Sequence, residues 1–373
     1  MCPDSGRSVL TMRTLFYQSS VHWSASARAF AVAARGLAAR GEPVTVVCRD
    51  ASKAQAGFVQ EGLDVVGLPP ATTVARDAWR LRTVLKEKLI EVVFLHTERE
   101  HLVASSAMRL AERGAVIRRI PAGGAPATGR SGKFADRMAT SLMLFSTTTD
   151  RDRAGLGDRA RVAPLGVDVA KVEAARQPAR AMLGMKDEAQ LIVCAIDDRA
   201  GTRVTTAMRT LALLAERHPQ LRMAFVGRSG DADDTRMHAA ALGVTSLVKF
   251  LGERTDMPTV LAAADVGWVT AGGDDGAFAC LDFMAARVPV IAERSSLVSH
   301  FVPDGIAGVL LPAADPSDTA SAVARFLADD GTRKAMGNAG YTRAQRDFRE
   351  DAMVEGFAAA ASAAGDRSLW TVR

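Results

Sequence analysis

Two series of short apolar runs, each run followed by a segment of helical period, constrain the fold of this 373-residue chain most strongly. Runs rich in Val, Leu, Ile and Phe, without polar alternation, are typical of strands buried on both faces of a parallel sheet. The first series consists of RTLFYQ, PVTVVC, LDVVGLP, EVVFLH, AVIRRIP and LMLFSTT, and the second of LIVCAI, RMAFVG, LVKFLG, VGWVTA, PVIAE and GVLLPA. The pattern predicts an α/β fold with two Rossmann-like, doubly wound parallel sheets.

The restart of the pattern predicts two domains, since a single core seldom grows past about 250 to 300 residues. We place the N-terminal domain at 12–165, a linker at 166–185 and the C-terminal domain at 186–340. A helix within 341–373 is expected to cross back towards the first domain, and 1–11 to be a disordered or mis-started extension before Met12. Ligands bind at the carboxyl ends of parallel strands, so we expect a site in a cleft between the domains.

Composition and charge exclude several classes of protein. The net charge is +5, but Arg is scattered among Asp and Glu rather than massed in a run, so no nucleic-acid face is indicated. No apolar stretch is long enough to span a bilayer and no signal peptide is evident, although peripheral membrane association stays open. The four widely spaced cysteines, three of them in apolar runs, argue against disulfides and suit the cytoplasm.

Polar residues after two strands of the first domain are candidates for the acceptor side. His22 and Ser24 follow the first strand at a helix N-terminus, and His96 ends EVVFLH. Helix capping explains Ser24 equally well, and a solitary histidine such as His96 is more often structural. No G-x-G-x-x-G follows the first strand, which argues against a dinucleotide enzyme, and the six histidines lack zinc-ligand spacing.

In the second domain, arginines follow two neighbouring strands. Arg199 and Arg203 come after LIVCAI, and Gly227 ends RMAFVG, with Arg228 directly after it. A pair of guanidinium groups at one edge of a sheet is suited to clamp a diphosphate. Surface solvation is the alternative for each arginine taken singly.

The stretch GGDDGAFACLDFMAARVPVIA, after VGWVTA, carries three acids. We predict that Asp274 and Asp275 lie in a loop and that the helix behind it runs from Ala277 to Arg287. The helix start, with the amides of Gly276 and Ala277, could receive a phosphate or sugar oxygen. Capping accounts for an acid at 274 or 275, but not for Asp282, eight residues after Asp274 among apolar neighbours.

These motifs resemble GT-B glycosyltransferases, specifically the family-4-like, mostly retaining nucleotide-sugar group. RGEPVTVVC is similar to the family's rGheVtvv, VAPLGVD to its viplGVD and FVGRSG to its ivGdGp, and the resemblance runs over nearly the whole chain from Met12. It implies two Rossmann-like domains facing across a cleft, a nucleotide-sugar as substrate, and no bound cofactor or metal.

The resemblance also implies site residues. The family's Glu-x7-Glu pair falls on Asp274, near the donor sugar and catalytic, and on Asp282, at the ribose. From their positions at strand ends and at the helix start, we further expect donor contacts from Gly276, Ala277, Phe278, Gly227 and the arginines 199, 203 and 228. His96 is assigned a catalytic role, and His22 and Ser24 the acceptor side.

Departures from the family pattern keep alternatives open. Ile196 and Thr202 stand where the family has the Arg and Lys that neutralise the diphosphate, and Arg287 stands where it has Gly. We therefore expect a glycosyltransferase with an unknown acceptor. The alternatives are a catalytically inactive pseudo-glycosyltransferase that binds nucleotide or acts as a scaffold, and, with weaker support, a GT-B epimerase.

Overall fold

The computed structural model describes residues 12–70, 73–126, 129–186, 188–197, 202–228, 232–312 and 315–367. The chain divides into two compact units. Unit 1 comprises residues 1–164 and 353–373, and unit 2 comprises residues 165–352. Each unit is built around one parallel sheet, so the predicted α/β class is confirmed.

The sheet of unit 1 has seven parallel strands in the order β3-β2-β1-β4-β5-β6-β7. The strands are β1 (Thr14–Gln18), β2 (Val44–Arg49), β3 (Val65–Leu68), β4 (Val92–Leu95), β5 (Ala115–Arg119), β6 (Thr140–Phe145) and β7 (Ala160–Val162). The six apolar runs of the first series all form strands. The seventh was missed, because its three residues are too few to show a period.

The helices that cover this sheet follow its strands one by one. They are α1 (Ala25–Ala39), α2 (Lys53–Gln60), α3 (Val74–Glu87), α4 (Glu98–Ala111), α5 (Arg130–Met138) and α6 (Thr148–Ala154). All but α5 begin after a Ser or Thr whose side chain accepts a hydrogen bond from a backbone amide of the first turn, the usual N-cap. Helix α4 packs against both α3 and α5.

The sheet of unit 2 has six parallel strands in the order β10-β9-β8-β11-β12-β13. They are β8 (Gln190–Asp197), β9 (Leu221–Arg228), β10 (Val248–Gly252), β11 (Val266–Val269), β12 (Val290–Glu293) and β13 (Gly308–Leu311). All six predicted runs are present, in the Rossmann strand order 3-2-1-4-5-6.

Helices cover this second sheet as well. They are α7 (Val169–Ala174), α8 (Arg176–Met182), α9 (Thr202–Ala215), α10 (Ala232–Ala241), α11 (Met257–Ala262), α12 (Gly273–Ala285), α13 (Ser296–Phe301), α14 (Pro316–Ala328) and α15 (Asp330–Asp347). The segment predicted as a linker, 166–185, forms α7 and α8 inside unit 2. Its apolar side chains, Val169, Val172, Ala179 and Leu183, are buried, which explains why it is helical.

The last helix, α16 (Glu350–Gly365), begins in unit 2, but its residues from Met353 onwards belong to unit 1. Phe357 lies 5.1 Å from Phe94 and 6.0 Å from Phe16, centroid to centroid, in the core of that unit. Cys48, Cys194 and Cys280 are buried free thiols, as predicted. No helix among the described residues is long and apolar enough to cross a bilayer.

Candidate active site

The carboxyl edge of the unit 2 sheet brings the predicted donor residues together. Strands β9, β8 and β11 are neighbours, so Arg228, Asp197 and the loop after Val269 lie side by side. The stretches 198–201 and 229–231, which follow β8 and β9, fall outside the described residues. The predicted Arg199 is among them.

Arg228, at the end of β9, is held by a carboxylate of the neighbouring strand. Its Nε and Nη2 atoms each donate to an oxygen of Asp197 at 3.0 Å, and Glu253 lies 3.9 Å away. Burial alone would lower the pKa of Arg228, but the hydrogen bond and charge of Asp197, followed by the charges of Asp275 and Glu253, raise it. A diphosphate at this edge would have to compete with Asp197 for the guanidinium or share it.

Arg203, in the first turn of α9, reaches the same edge. Its Nη1 atom donates to the carbonyl oxygen of Thr270 at 2.7 Å, in the loop between β11 and α12. The hydroxyl of Thr270 in turn donates to the carbonyl of Ala195 on β8 at 3.3 Å. Arg203 and Arg228 therefore both lie where strand ends meet the start of α12, as the sequence predicted.

Helix α12 begins four residues earlier than predicted. Asp274 and Asp275 lie in its first turn, so their placement in a loop was wrong. The N-cap is Gly272, and it makes no side-chain capping bond, so neither acid caps the helix. Carboxylates in a first turn are favoured by the positive end of the helix dipole. The three glycines of this stretch, 272, 273 and 276, suggested a loop. Gly276, however, is needed because the backbone packs closely at the start of the helix.

Gly276 is required by sterics. A Cβ at this position would lie 2.2 Å from the carbonyl oxygen of Ala271, and the amide of Gly276 already donates to Gly272 at 3.1 Å. A ligand at the helix start would therefore meet the amides of Gly272 and Gly273 rather than those of Gly276 and Ala277. Within the part of the chain that the structure describes, and apart from the adjacent residues, no atom lies within 4 Å of a Cβ built at either glycine.

Gly227 has a similar structural reason. Its φ is +116°, and a Cβ there would lie 2.0 Å from the carbonyl oxygen of Ile196 on β8. The side chains of Ala277 and Phe278 point into the protein and are buried. Gly227 has no side chain, and the side chains of Ala277 and Phe278 are apolar, so only backbone contacts to a donor stay as predictions for these three residues.

The two acids of the predicted pair are both buried on α12, Asp274 with 3% and Asp282 with 1% of its surface exposed. Eight residues separate them, which in a helix is about 12 Å along the axis and 80° around it. Carboxylates are almost never this buried unless they have partners. The geometry keeps both carboxyl groups on one side of α12 and away from bulk water.

Arg287, which replaces the family's glycine, follows α12 in the left-handed region with φ +59°. Its Nε donates to Glu173 at 2.8 Å, its Nη1 donates to Asn338 at 2.9 Å, and its guanidinium lies 3.6 Å from the ring centroid of Tyr341. Such a conformation costs a residue with a Cβ roughly 1 kcal/mol. Three contacts of the side chain offset that strain.

In unit 1, the predicted acceptor residues have structural contacts. Ser24 is the N-cap of α1 and accepts from the amide of Ala27 at 3.2 Å. The ring of His96 is buried, stacks on Phe30 at 3.7 Å and lies 2.9 Å through Nε2 from the carbonyl oxygen of Ser26. His22 is exposed on the loop before α1. Their roles towards an acceptor stay predictions.

Several charged residues at strand ends were not found from the sequence. Arg118, at the end of β5, is buried, and its Nε donates to the carbonyl of His96 at 3.1 Å. Burial lowers its pKa against the opposing effect of Glu98, Glu100 and Asp136. Among the described residues no carboxylate comes within 4.0 Å of it. In the sequence, Arg118 could have been noticed as a charged residue inside the apolar run AVIRRIP.

Glu100 and Asp77 organise the rest of this edge of unit 1. The carboxylate of Glu100 accepts from the backbone amides of His96 at 3.0 Å, Thr97 at 2.8 Å and Ser19 at 2.5 Å, which ties the ends of β1 and β4 together. Asp77 binds the buried Arg49 through two hydrogen bonds of 3.1 and 2.7 Å, and it also accepts from Arg99. No group of three or more His, Cys, Asp or Glu placed to hold a metal ion occurs within the described ranges.

Comparison with known proteins agrees with this geometry. Residues 179–343 match the family model "Glycosyl transferases group 1". The D-inositol 3-phosphate glycosyltransferase of Corynebacterium jeikeium is 31% identical over 192 residues, which are 48% of this chain and 45% of that protein. The chain thus spans about half the length of the curated relatives it matches. The family resemblance found in the sequence is confirmed for this segment, which lies within unit 2.

Solved structures share the fold over nearly the whole chain. Anabaena HepE, solved in complex with UDP-glucose, aligns with a TM-score of 0.76 at 17% identity, over 94% of this chain and 99% of its own. A putative UDP-N-acetylglucosamine 2-epimerase from Listeria monocytogenes aligns with a TM-score of 0.63 at 14% identity, over 90% and 94%. The GT-B fold is therefore confirmed. A protein solved with UDP-glucose and a protein named as a putative epimerase both share it, so the fold alone does not select the reaction.

Proposed function

We propose that the chain is a glycosyltransferase whose unit 2 binds a nucleotide-sugar donor. The observation that carries the proposal is the pair of buried acids, Asp274 and Asp282, eight residues apart on α12 inside the segment that matches the glycosyltransferase family model. The start of α12 meets the ends of β8, β9 and β11 at one edge of the sheet. That edge is where ligands of doubly wound sheets bind.

Each residue has a role in this proposal that suits its chemistry. Asp282 accepts hydrogen bonds from the ribose hydroxyls, and Asp274 from hydroxyls of the sugar. Both side chains are one methylene shorter than the family's Glu, so the ligand would have to lie closer to α12. The amides at Gly272 and Gly273, with Arg203 and Arg228, would stabilise the negative charge that develops on the leaving diphosphate.

The acceptor side is assigned to unit 1, at the carboxyl edge of its own sheet. His22, Ser24 and His96 are the candidates there. Arg118 supports an acceptor that carries negative charge, because its buried guanidinium has no ion pair with any carboxylate that the structure describes and so favours an anionic ligand. The relatives named for D-inositol 3-phosphate and for lipopolysaccharide core biosynthesis are in keeping with a hydroxyl-rich acceptor. We further propose that the transfer needs no metal ion and that the transferred group is a hexosyl unit.

The donor site is tested by titrating the protein with UDP, GDP and ADP and their glucose conjugates while following thermal unfolding. A ligand at 100 times its Kd stabilises the protein by about 2.7 kcal/mol, which for a unit of this size raises the Tm by roughly 5 to 10 °C. Asp282→Asn should abolish most of that rise, and Asp234→Asn, an exposed acid on α10, should leave it unchanged. Absence of a shift with every nucleotide would refute the donor site. An unchanged shift in Asp282→Asn would refute the ribose role.

The second candidate is a nucleotide-binding protein without turnover, favoured by one observation. Arg228, which should neutralise the leaving diphosphate, is already neutralised by Asp197, with Glu253 close by. Nucleotide binding without release of nucleoside diphosphate, across a panel of sugar and lipid acceptors, would support this candidate. Conversion of one nucleotide-sugar into its epimer, read by NMR of the product, would instead identify an epimerase.

A further inference from the structure

Three large apolar side chains are exposed on one layer of helices in unit 1. Trp79 on α3 is 60% exposed, Leu110 on α4 is 47% exposed and Phe134 on α5 is 53% exposed. Helix α4 packs against both α3 and α5, so the three residues lie on neighbouring helices, whose exposed side we call the α3–α5 face. Burying Trp79 and Phe134 in this unit would have been favourable, so their exposure requires an explanation.

The same face carries a strong excess of positive charge. The exposed ionisable residues of the three helices are six cations, Arg76, Lys86, Arg109, Arg130, Lys133 and Arg137, and one acid, Glu87. The other acids of these helices are buried or half-buried, as with Asp77 bound to Arg49 and Glu98 bound to Ser131. Counting every Lys, Arg, Asp and Glu, the three helices carry nine cations and five acids, a net charge of +4, against +5 for the whole chain.

The apolar and basic groups are interleaved. The guanidinium of Arg82 lies 4.9 Å from the ring centroid of Trp79, and its Nε donates to the carbonyl of Leu110 at 3.0 Å. Arg82 thus connects the exposed indole of α3 to the exposed leucine of α4. Surfaces that bind the bilayer interface combine Trp and Phe with Lys and Arg in this way. There, rings enter the headgroup region while cations stay with the phosphates.

We propose that the α3–α5 face binds the surface of a membrane rich in anionic lipids. The ligand is a lamellar array of phosphate headgroups, which complements the six cations, above an apolar layer that accepts Trp79, Leu110 and Phe134. Interfacial binding of this kind combines electrostatic attraction with apolar burial and leaves the backbone of the protein unchanged. The proposal is independent of the donor site in unit 2, because all of its residues lie in unit 1.

The test measures sedimentation of the full chain with large vesicles of phosphatidylcholine, with or without 30% phosphatidylglycerol. The face variant carries Arg76→Glu, Lys86→Glu and Lys133→Glu. The control variant carries Arg209→Glu, Arg217→Glu and Arg325→Glu, three exposed arginines of unit 2, so that both have the same net charge. Each basic residue near an anionic surface contributes about fivefold to partitioning, so the face variant should bind about 100-fold more weakly than the wild type. The control should bind within about threefold of the wild type.

The contribution of the rings is tested with Trp79→Ser and Phe134→Ser together. At low salt this variant should still bind anionic vesicles through its cations. At 0.5 M salt, where electrostatic attraction is screened, it should bind the vesicles about tenfold or more weakly than the wild type. Circular dichroism and urea unfolding establish that each variant is folded. The proposal is overturned if the wild type sediments with neither vesicle, or if face and control variants bind equally. It is also overturned if the face variant abolishes a dimer seen by size exclusion while vesicles are not bound, since the face would then contact protein.

Discussion

Removal of the negative charge of Asp197 should strengthen the binding of a nucleoside diphosphate. The carboxylate makes two 3.0 Å hydrogen bonds to Arg228, the group best placed at the end of β9 to meet a diphosphate. Two further carboxylates, Glu253 and Asp275, act on the same guanidinium. A ligand that brings about two negative charges to this edge is therefore repelled by three acids near one arginine. Asp197→Asn removes one of these charges and keeps a hydrogen-bond acceptor for Arg228.

The size of the effect follows from Coulomb's law and the exposure of the pair. One unit charge about 6 Å from another contributes roughly 0.7 kcal/mol in bulk water and about 2.8 kcal/mol at an effective dielectric of 20. The side chains of Arg228 and Asp197 are 33% and 32% exposed, so the interaction lies between these limits and is partly screened by salt. The ion pair itself contributes up to about 1 kcal/mol that the ligand need no longer displace. Asp197→Asn should tighten binding between about fivefold and thirtyfold.

The assay is isothermal titration calorimetry with the nucleoside diphosphate that stabilises the wild type most, at 50 and 300 mM salt. The gain should be smaller at the higher salt. Glu216→Gln, which removes an exposed acid at the far end of α9, is the matched control and should change the Kd less than twofold. If Asp197→Asn binds the nucleoside diphosphate as weakly as the wild type or more weakly, competition between Asp197 and the ligand for Arg228 is refuted, and Asp197 instead positions Arg228 for the ligand.

The remaining predictions concern stability and packing. Asp77→Ala should lower the free energy of unfolding of unit 1 by about 3 to 5 kcal/mol in urea titrations, because it leaves the buried guanidinium of Arg49 unpaired, whereas Arg99→Ala should cost less than about 1 kcal/mol. Burial lowers the pKa of His101 to about 4, so on acidification the histidine takes up a proton in the unfolded chain before it does so in the folded protein. The free energy of unfolding should therefore fall by up to about 1.4 kcal/mol per pH unit from pH 6.5 towards pH 4. The fall should be less steep in His101→Gln. Arg287→Ala keeps the left-handed backbone strain and loses the side-chain contacts, so it should unfold at lower temperature than Arg287→Gly, by the equivalent of about 1 kcal/mol; equal midpoints would show that the strain is negligible. Gly276→Ala should displace the start of α12, visible as loss of any nucleotide-induced Tm shift, because its methyl group would collide with a backbone carbonyl.

The type of each element could be predicted from the sequence because it depends on local apolar runs. Twelve predicted runs became twelve strands, since a run buried on both faces needs no partner-specific information to be recognised. Strand β7 was missed because three residues show no period. The segment 166–185 was predicted only as a linker, although it forms α7 and α8. Short helices of this kind bury only a few side chains each, so their apolar pattern is weak.

The functional edges were harder to predict, because their pairings join residues far apart in the chain. Asp197 and Arg228 are 31 positions apart, and Arg49 and Asp77 are 28 apart, so no spacing rule reveals either pair. The sequence correctly placed Arg203, Arg228 and α12 at strand ends. It could not show that Arg228 already has a carboxylate partner, because that depends on which strands are neighbours and on the rotamers their ends adopt.

Arg287 illustrates how a departure from a family pattern can be misjudged from sequence alone. Replacement of a conformationally required glycine by arginine suggests loss of the turn after α12, yet the turn is present with φ +59°. Its guanidinium contacts Glu173 on α7 together with Asn338 and Tyr341 on α15, so the substituted side chain connects two helices that a glycine could not. The end of the helix that carries Asp274 and Asp282 is therefore held by side-chain contacts of Arg287. The replacement of glycine by arginine at this position does not indicate that the donor site has lost its activity. Pairing of Arg228 with Asp197 is the stronger indication of lost activity, because it neutralises the guanidinium that would bind the diphosphate. Asp197→Asn tests that pairing directly.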